Sequence, residues 1–237
     1  MMTDLERLAR LPDDFDGQVR LFPLPGTVLF PHVMQPLHVF EPRYCDLLAD
    51  SLASDRLIAM AVLAPGWEAS YEQQPALEEH VCIGRVVTHT RSDEDRHNIL
   101  LLGIRRARIV AELSSGQTYR TARVEILDDV YPPSGAAGRA RKQKRLLEAF
   151  RRLIPEHALA QENFRQLLAC KLPLGPVTDI VAFSCALPAA LKLELLGQTD
   201  VDVRAELLLR ELTSHLPVVH APSAEEREGF PPPFSRN

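Results

Sequence analysis

From residue 19 to about residue 128 the apolar residues come in short runs rich in β-branched side chains, and proline or glycine closes them at close intervals. Such runs read as strands, because an amphipathic helix needs a stripe recurring at three and four residues over several turns. The strands expected are 19–24, 28–30, 35–40, 57–63, 81–90, 98–104 continuing through 105–113, and 119–127. Pro25-Gly26 breaks the first, and Pro31, Pro36 and Pro42 bound the next two. Proline has no N–H to give a ladder, so these positions belong to strand ends or edges. The run 57–63 (LIAMAVL) alternates nothing polar with its apolar residues and predicts burial on both faces.

One helix interrupts the strands. Pro42 suits a first helical turn, where its missing N–H costs nothing, and Glu41 stands before it facing the positive end of the helix dipole. Tyr44, Leu47, Leu48, Ser51 and Leu52 then form a single apolar stripe. Residues 64–79 carry Trp67 and Tyr71 without either period and read as a surface excursion. Many short strands with one early helix predict a small β-barrel.

After Pro132-Pro133-Ser134-Gly135 the period changes to that of helices, expected at 139–153, 158–172, 177–187, 188–196 and 202–215. In the last of these, Val203, Leu207, Leu208 and Leu212 are expected to face inward. The chain therefore divides into an N-terminal extension 1–18, a barrel 19–130, a linker 131–138, a helical subdomain 139–216 and a proline-containing tail 217–237 of disordered or PPII character. The fold class is α+β.

Composition removes several functions. There are 27 Lys and Arg against 32 Asp and Glu, a net charge of −5, so no global positive field draws in nucleic acid or an anionic membrane. No apolar stretch is long enough to cross a bilayer as a helix, nor does the N-terminus resemble a signal peptide, so a cytoplasmic location is expected. Four scattered cysteines, with no C-x-x-C pair, give neither a disulfide framework nor a zinc site. His80 and Cys82 lie two apart, but two ligands do not make a metal centre. The phosphate-cradling glycine motifs, H-E-x-x-H and G-x-S-x-G are all absent. No catalytic residue, metal or cofactor is expected.

Two features remain. The basic run Arg139, Arg141, Lys142, Lys144, Arg145, Arg151 and Arg152 could track phosphates, or form the solvated face of an amphipathic helix. Arg105, Arg106 and Arg108 could pair with Asp93, Glu94 and Asp95 at the neighbouring turn.

Residues 21–44 read LFPLPGTVLFPHVMQPLHVFEPRY. This segment resembles the opening of the N-terminal substrate-binding domain of the Lon ATP-dependent protease, which has the form PL…VLFP…PLHIFEPRY. Residues 82–87 and 98–106 are similar to that family's G-x-[IV] strand and following hairpin, and residues 187–208 to its C-terminal helices. The resemblance covers about residues 19–216 and implies a PUA-like β-barrel followed by a helical bundle. Full-length Lon continues into an ATPase module and a Ser-Lys protease module, and neither is written in these 237 residues. The expectation is a non-enzymatic, ATP-independent recognition module that binds polypeptide. Phe30, Met34, Trp67 and Tyr71 are its candidate contacts. Glu41, Pro42, Arg43 and Tyr44 are assigned to architecture. The rival readings are RNA binding through Arg139, Arg141, Lys142, Lys144 and Arg145, and an unrecognised hydrolase.

Overall fold

A computed structural model describes residues 8–92, 96–156 and 158–214, the side chains of Ser70, Glu72 and Gln73 aside. The chain divides into two compact units between Leu127 and Asp128, three residues before the boundary expected from the sequence.

The first unit holds six strands in a mixed sheet: β1 (Gln18–Leu24), β2 (Met34–Val39), β3 (Leu57–Val62), β4 (His80–Arg91), β5 (His97–Leu113) and β6 (Thr121–Leu127). Helix α1 (Pro42–Leu52) lies between β2 and β3 in sequence. The order is β2-β5-β4-β3-β1-β6, with β6 returning to pair with β5. That return depends on the length of β5. Its first part pairs with β2 through Leu102, and Arg106 onward pairs with β6. Register irregularities at Ile83/Gly84, Val86/Thr88 and Ile109/Ala111 bend β4 and β5, as bulges do, so that the ladder can close through β5, β4, β3, β1 and β6.

The prolines obey the donor rule. Pro36 sits on β2, an edge strand, and Pro23 lies where β1 pairs with β3 but beyond its β6 register, which stops at Arg20. Residues 28–30 form no strand, contrary to the apolar reading, since Phe30 is anchored as a plug rather than as a ladder member. Its carbonyl presses so closely on Gly103 that any side chain there would collide with it. Every residue of β3 is buried, as expected. Leu57, Ala59 and Ala61 join Leu21, Val81, Ile83 and Ile104 in one core cluster, while Ile58 and Met60 are buried on the opposite face. Each of these Leu, Ile, Val and Met side chains contributes about 1.5–3 kcal/mol by leaving water.

The second unit contains α2 (Arg139–Arg151), α3 (Ala158–Ala169), α4 (Leu174–Ser184), α5 (Ala189–Gly197) and α6 (Val201–Ser214). Residues 131–138 fall within this unit. Val130 donates its N–H to Thr199 O and forms a parallel bridge with Asp200, and residues Pro133–Gly138 make a 3-10 turn. Arg204 on α6 is fully buried and donates to both Asp129 oxygens at 2.9 Å, to Thr178 Oγ1 at 2.7 Å and to Gln198 O at 2.7 Å. Asp179 stands 3.5 Å away. Burial opposes the Arg204 charge, yet Asp179 and Asp129 outweigh it and its pKa lies above the ordinary value. This network turns α6 on its axis. Val203, expected inward, is 42% exposed, while Leu208 and Leu212 face the core as expected, together with Val201, Ala205 and Leu209. The proposed tail 217–237 and the acids 93–95 lie outside the described residues.

Candidate functional site

The sequence L-H-V-F-E-P-R-Y carries the chain from the end of β2 into α1, and its polar members converge on one point. Glu41 is the N-cap of α1 with extended backbone (φ −69, ψ 133), but its carboxylate makes no cap bond. It accepts instead from Arg43 Nε at 3.0 Å and Nη2 at 2.7 Å, and from the Tyr71 hydroxyl at 3.0 Å. The Arg43 guanidinium carbon lies 4.9 Å from the ring centroids of both Tyr44 and Tyr71, a cation held between two π faces. Trp67 meets Tyr71 edge-on at 5.5 Å.

Each partner is positioned by a local reason. Tyr44 falls on the buried stripe of α1, stacks on Phe22 at 4.3 Å and donates its hydroxyl to Pro23 O at 3.0 Å. Burial pushes the Tyr44 phenol well above its usual range. Trp67 and Tyr71 occupy a 3-10 turn, Trp67–Gln73, entered through Gly66 at φ 85, a conformation that suits glycine. Burial, and then the neighbouring Glu41 charge, raise the Tyr71 pKa, so its phenol stays protonated and donates at neutral pH. Arg43 has a raised pKa because Tyr44 and Glu41 overcome the opposing effect of burial. The cluster is a half-buried platform in which Trp67 and Tyr71 keep part of their surface in water.

Beside it, Phe22, Leu24, Leu37, His38, Phe40, Glu41 and Tyr44 line a small apolar notch of about 30 Å³. Space of that size takes the tip of one side chain. The β2 edge is a poor template for strand addition, because Pro36 removes a donor from it. Any extended ligand here must gain affinity from side-chain contacts rather than from a continued ladder.

The candidate contacts separate. Tyr71 and Trp67 join Glu41, Arg43 and Tyr44 in one constellation, so residues assigned to architecture also hold the aromatic turn. Met34, on β2, is 47% exposed and lies outside that cluster. Phe30 is corrected: at 0% exposure it is a core residue and offers nothing to a ligand. His38 and Phe40, whose rings lie 5.7 Å apart, were not singled out from sequence. Their alternation with buried Leu37 and Val39, along β2 and just past its end, was the available signal.

The basic run does not behave as one surface. Arg139 binds Asp202 at 2.7 Å and also donates to Pro132 O. Lys142 lies 2.8 Å from Glu206 and 3.4 Å from Asp202, while Lys144 is 3.9 Å from Glu148. Although burial opposes it, Arg139 and Lys142 hold the Asp202 carboxyl below its ordinary pKa. Arg141 and Arg145 are left exposed without an ionic partner among the described residues. The second basic cluster is equally dispersed, since Arg106 is buried and Arg108 pairs with Glu125 at 2.6 Å.

Chemistry is sparsely provided for. Among the described residues no group of three His, Cys, Asp or Glu side chains could hold a metal ion. Cys185 is buried, which pushes its thiol up to about 12 and leaves no thiolate at neutral pH.

Residues 18–214 match the family of ATP-dependent protease La (LON) substrate-binding domains. The chain belongs to that Lon substrate-binding domain family. It is 26% identical over 227 residues to the Lon protease of Dictyoglomus thermophilum, covering 94% of this chain and 28% of that protein. With Lon protease 2 of Sorangium cellulosum it shares 26% identity over 223 residues, covering 89% of this chain and 26% of the relative. The chain thus spans about a quarter of the length of the curated relatives it matches. The fold is that of the N-terminal domain of Mycobacterium avium complex Lon protease, with a TM-score of 0.65 at 19% identity, covering 84% of this chain and 99% of that one. A Lon N-terminal domain protein from Xanthomonas campestris aligns with a TM-score of 0.57 at 22% identity, covering 81% of this chain and 97% of the other. The family supports a role in substrate recognition, and it is the recognition domain, not a catalytic one, that is matched.

Proposed function

We propose that this chain is a Lon-type recognition module that binds exposed segments of polypeptide without nucleotide and without chemistry of its own. One observation carries the reading: in a member of a substrate-binding family, the Glu41 carboxylate and Arg43 pin Trp67 and Tyr71 half-exposed beside an apolar notch. A fixed aromatic platform lowers the entropy cost of capturing a flexible ligand, and aromatic anchors dominate such contacts. Met34 supplies an adaptable apolar contact elsewhere on the same unit. The closed ladder we read as the small PUA-like barrel that the resemblance implies, used as a rigid frame for this turn. Among the described residues no helix is long and apolar enough to cross a membrane and no cysteine is in a disulfide; a cytoplasmic setting is part of this reading.

The test is fluorescence anisotropy with labelled unstructured peptides of varied apolar content. Wild type is expected to bind apolar peptides, with affinity falling about tenfold in Trp67→Ala and Tyr71→Ala. Undiminished binding in both variants would move the site elsewhere.

A further inference from the structure

The helical unit contains a cleft of about 320 Å³ that recognition of polypeptide leaves unused. Arg141 and Arg145 from α2 and Arg210 from α6 line it, together with Lys142 and Glu206. We propose that this cleft is a binding site for a compact oxyanion carrying several charges, of the phosphate-ester or oligophosphate class.

Several arginines are matched with carboxylates: Arg20 with Asp55, Arg43 with Glu41, Arg120 with Glu112, Arg139 with Asp202 and Arg204 with Asp129. Arg141, Arg145 and Arg210 are not, and all three line the same cleft. All three are exposed and none has an ionic partner among the described residues, though the chain carries more acids than bases. Arg141 and Arg145 stand four apart on one helix, a spacing at which like charges destabilise it. Folding gains nothing from that arrangement.

The start of α2 adds to the field. Gly138, its N-cap, lines the cleft, and the first turn of this 13-residue helix holds no acid to offset the positive end of its dipole. Guanidinium groups suit the purpose, because their planar forks meet phosphate oxygens in bidentate fashion. Glu206 is the one carboxylate of the lining, and it occupies Lys142 at 2.8 Å. An arriving anion competes with it for that ammonium.

Size and charge placement favour a small ligand over a nucleic-acid strand. At about 30 Å³ per molecule the cleft holds roughly ten waters, the room of one oligophosphate. Next to the cleft, Arg139 is committed to Asp202, and Lys144 lies 3.9 Å from Glu148.

Isothermal titration of the full chain with inorganic phosphate, pyrophosphate and tripolyphosphate at low salt tests the site, with single-stranded RNA oligomers of increasing length as the competing arm. One tripolyphosphate is expected to bind per chain, more tightly than phosphate. The affinity should fall about tenfold or more in Arg145→Ala and Arg210→Ala, and rise several-fold in Glu206→Gln, with melting temperatures unchanged. No measurable tripolyphosphate binding, or binding indifferent to all three substitutions, overturns the proposal. RNA affinity that exceeds tripolyphosphate and climbs with oligomer length overturns it in favour of an extended strand surface.

Discussion

The Glu41 cluster of the sheet unit and the Arg204 network of the helical unit both set an arginine against carboxylate, yet they serve opposite ends. Arg204 is sealed from water, and its guanidinium is fully engaged by Asp129, Thr178 and Gln198. The side chains of Arg43 and Glu41 retain 32% and 28% exposure, and the rings of Tyr71 and Trp67 stay at the surface of their turn. Full burial makes charge a structural constraint, because removing one partner strands the others in a low dielectric. Half burial keeps the same chemistry adjustable and leaves aromatic surface for a ligand.

The sharpest way to break this comparison is Arg204→Ala. Leaving Asp129 and Asp179 without their cation is expected to destabilise the helical unit by about 3–5 kcal/mol, read by urea denaturation. Tyr44→Phe comes next. It leaves Pro23 O without its buried donor and is expected to cost about 1–2 kcal/mol in the sheet unit. Arg43→Ala should cost about 1 kcal/mol or less, since both members of its pair are part-solvated. A loss there equal to that of Arg204→Ala would erase the distinction between the two clusters.

Acid provides a gentler probe. Asp202 has a folded pKa below its ordinary 3.8, so it binds protons less readily folded than unfolded. Its contribution is present above that value and is lost as pH falls below 3.8 through the folded pKa. Asp202→Asn is expected to flatten the stability of the helical unit across that acid window, and a slope identical to wild type would contradict the Arg139 and Lys142 pairing.

Much of the sheet was legible, because period-two alternation and the N–H rule for proline act locally. The all-apolar run of β3, the proline-started α1 and the edge position of Pro36 all follow from those two principles. Phe30 defeated them, since an apolar residue between prolines reads alike as strand, loop contact or core plug until Gly103 is brought against it. Val203 failed for a related reason: apolar periodicity assumes that arginine points outward, and the partners of Arg204 come from residues 129, 178, 179 and 198, which no local pattern announces. The basic run was seen as one feature, but pairing with Asp202 and Glu206 on another helix divides it. Arg210, which completes the cleft with Arg141 and Arg145, lies more than sixty positions on, beyond any motif.

The most direct measurement is Trp67 emission during titration with an unstructured apolar peptide at low and at high salt. The platform account predicts a saturable change in emission whose midpoint is nearly the same at both salt concentrations, because apolar and aromatic contacts are weakly screened. Binding that leaves Trp67 silent, or that vanishes at high salt, would contradict it.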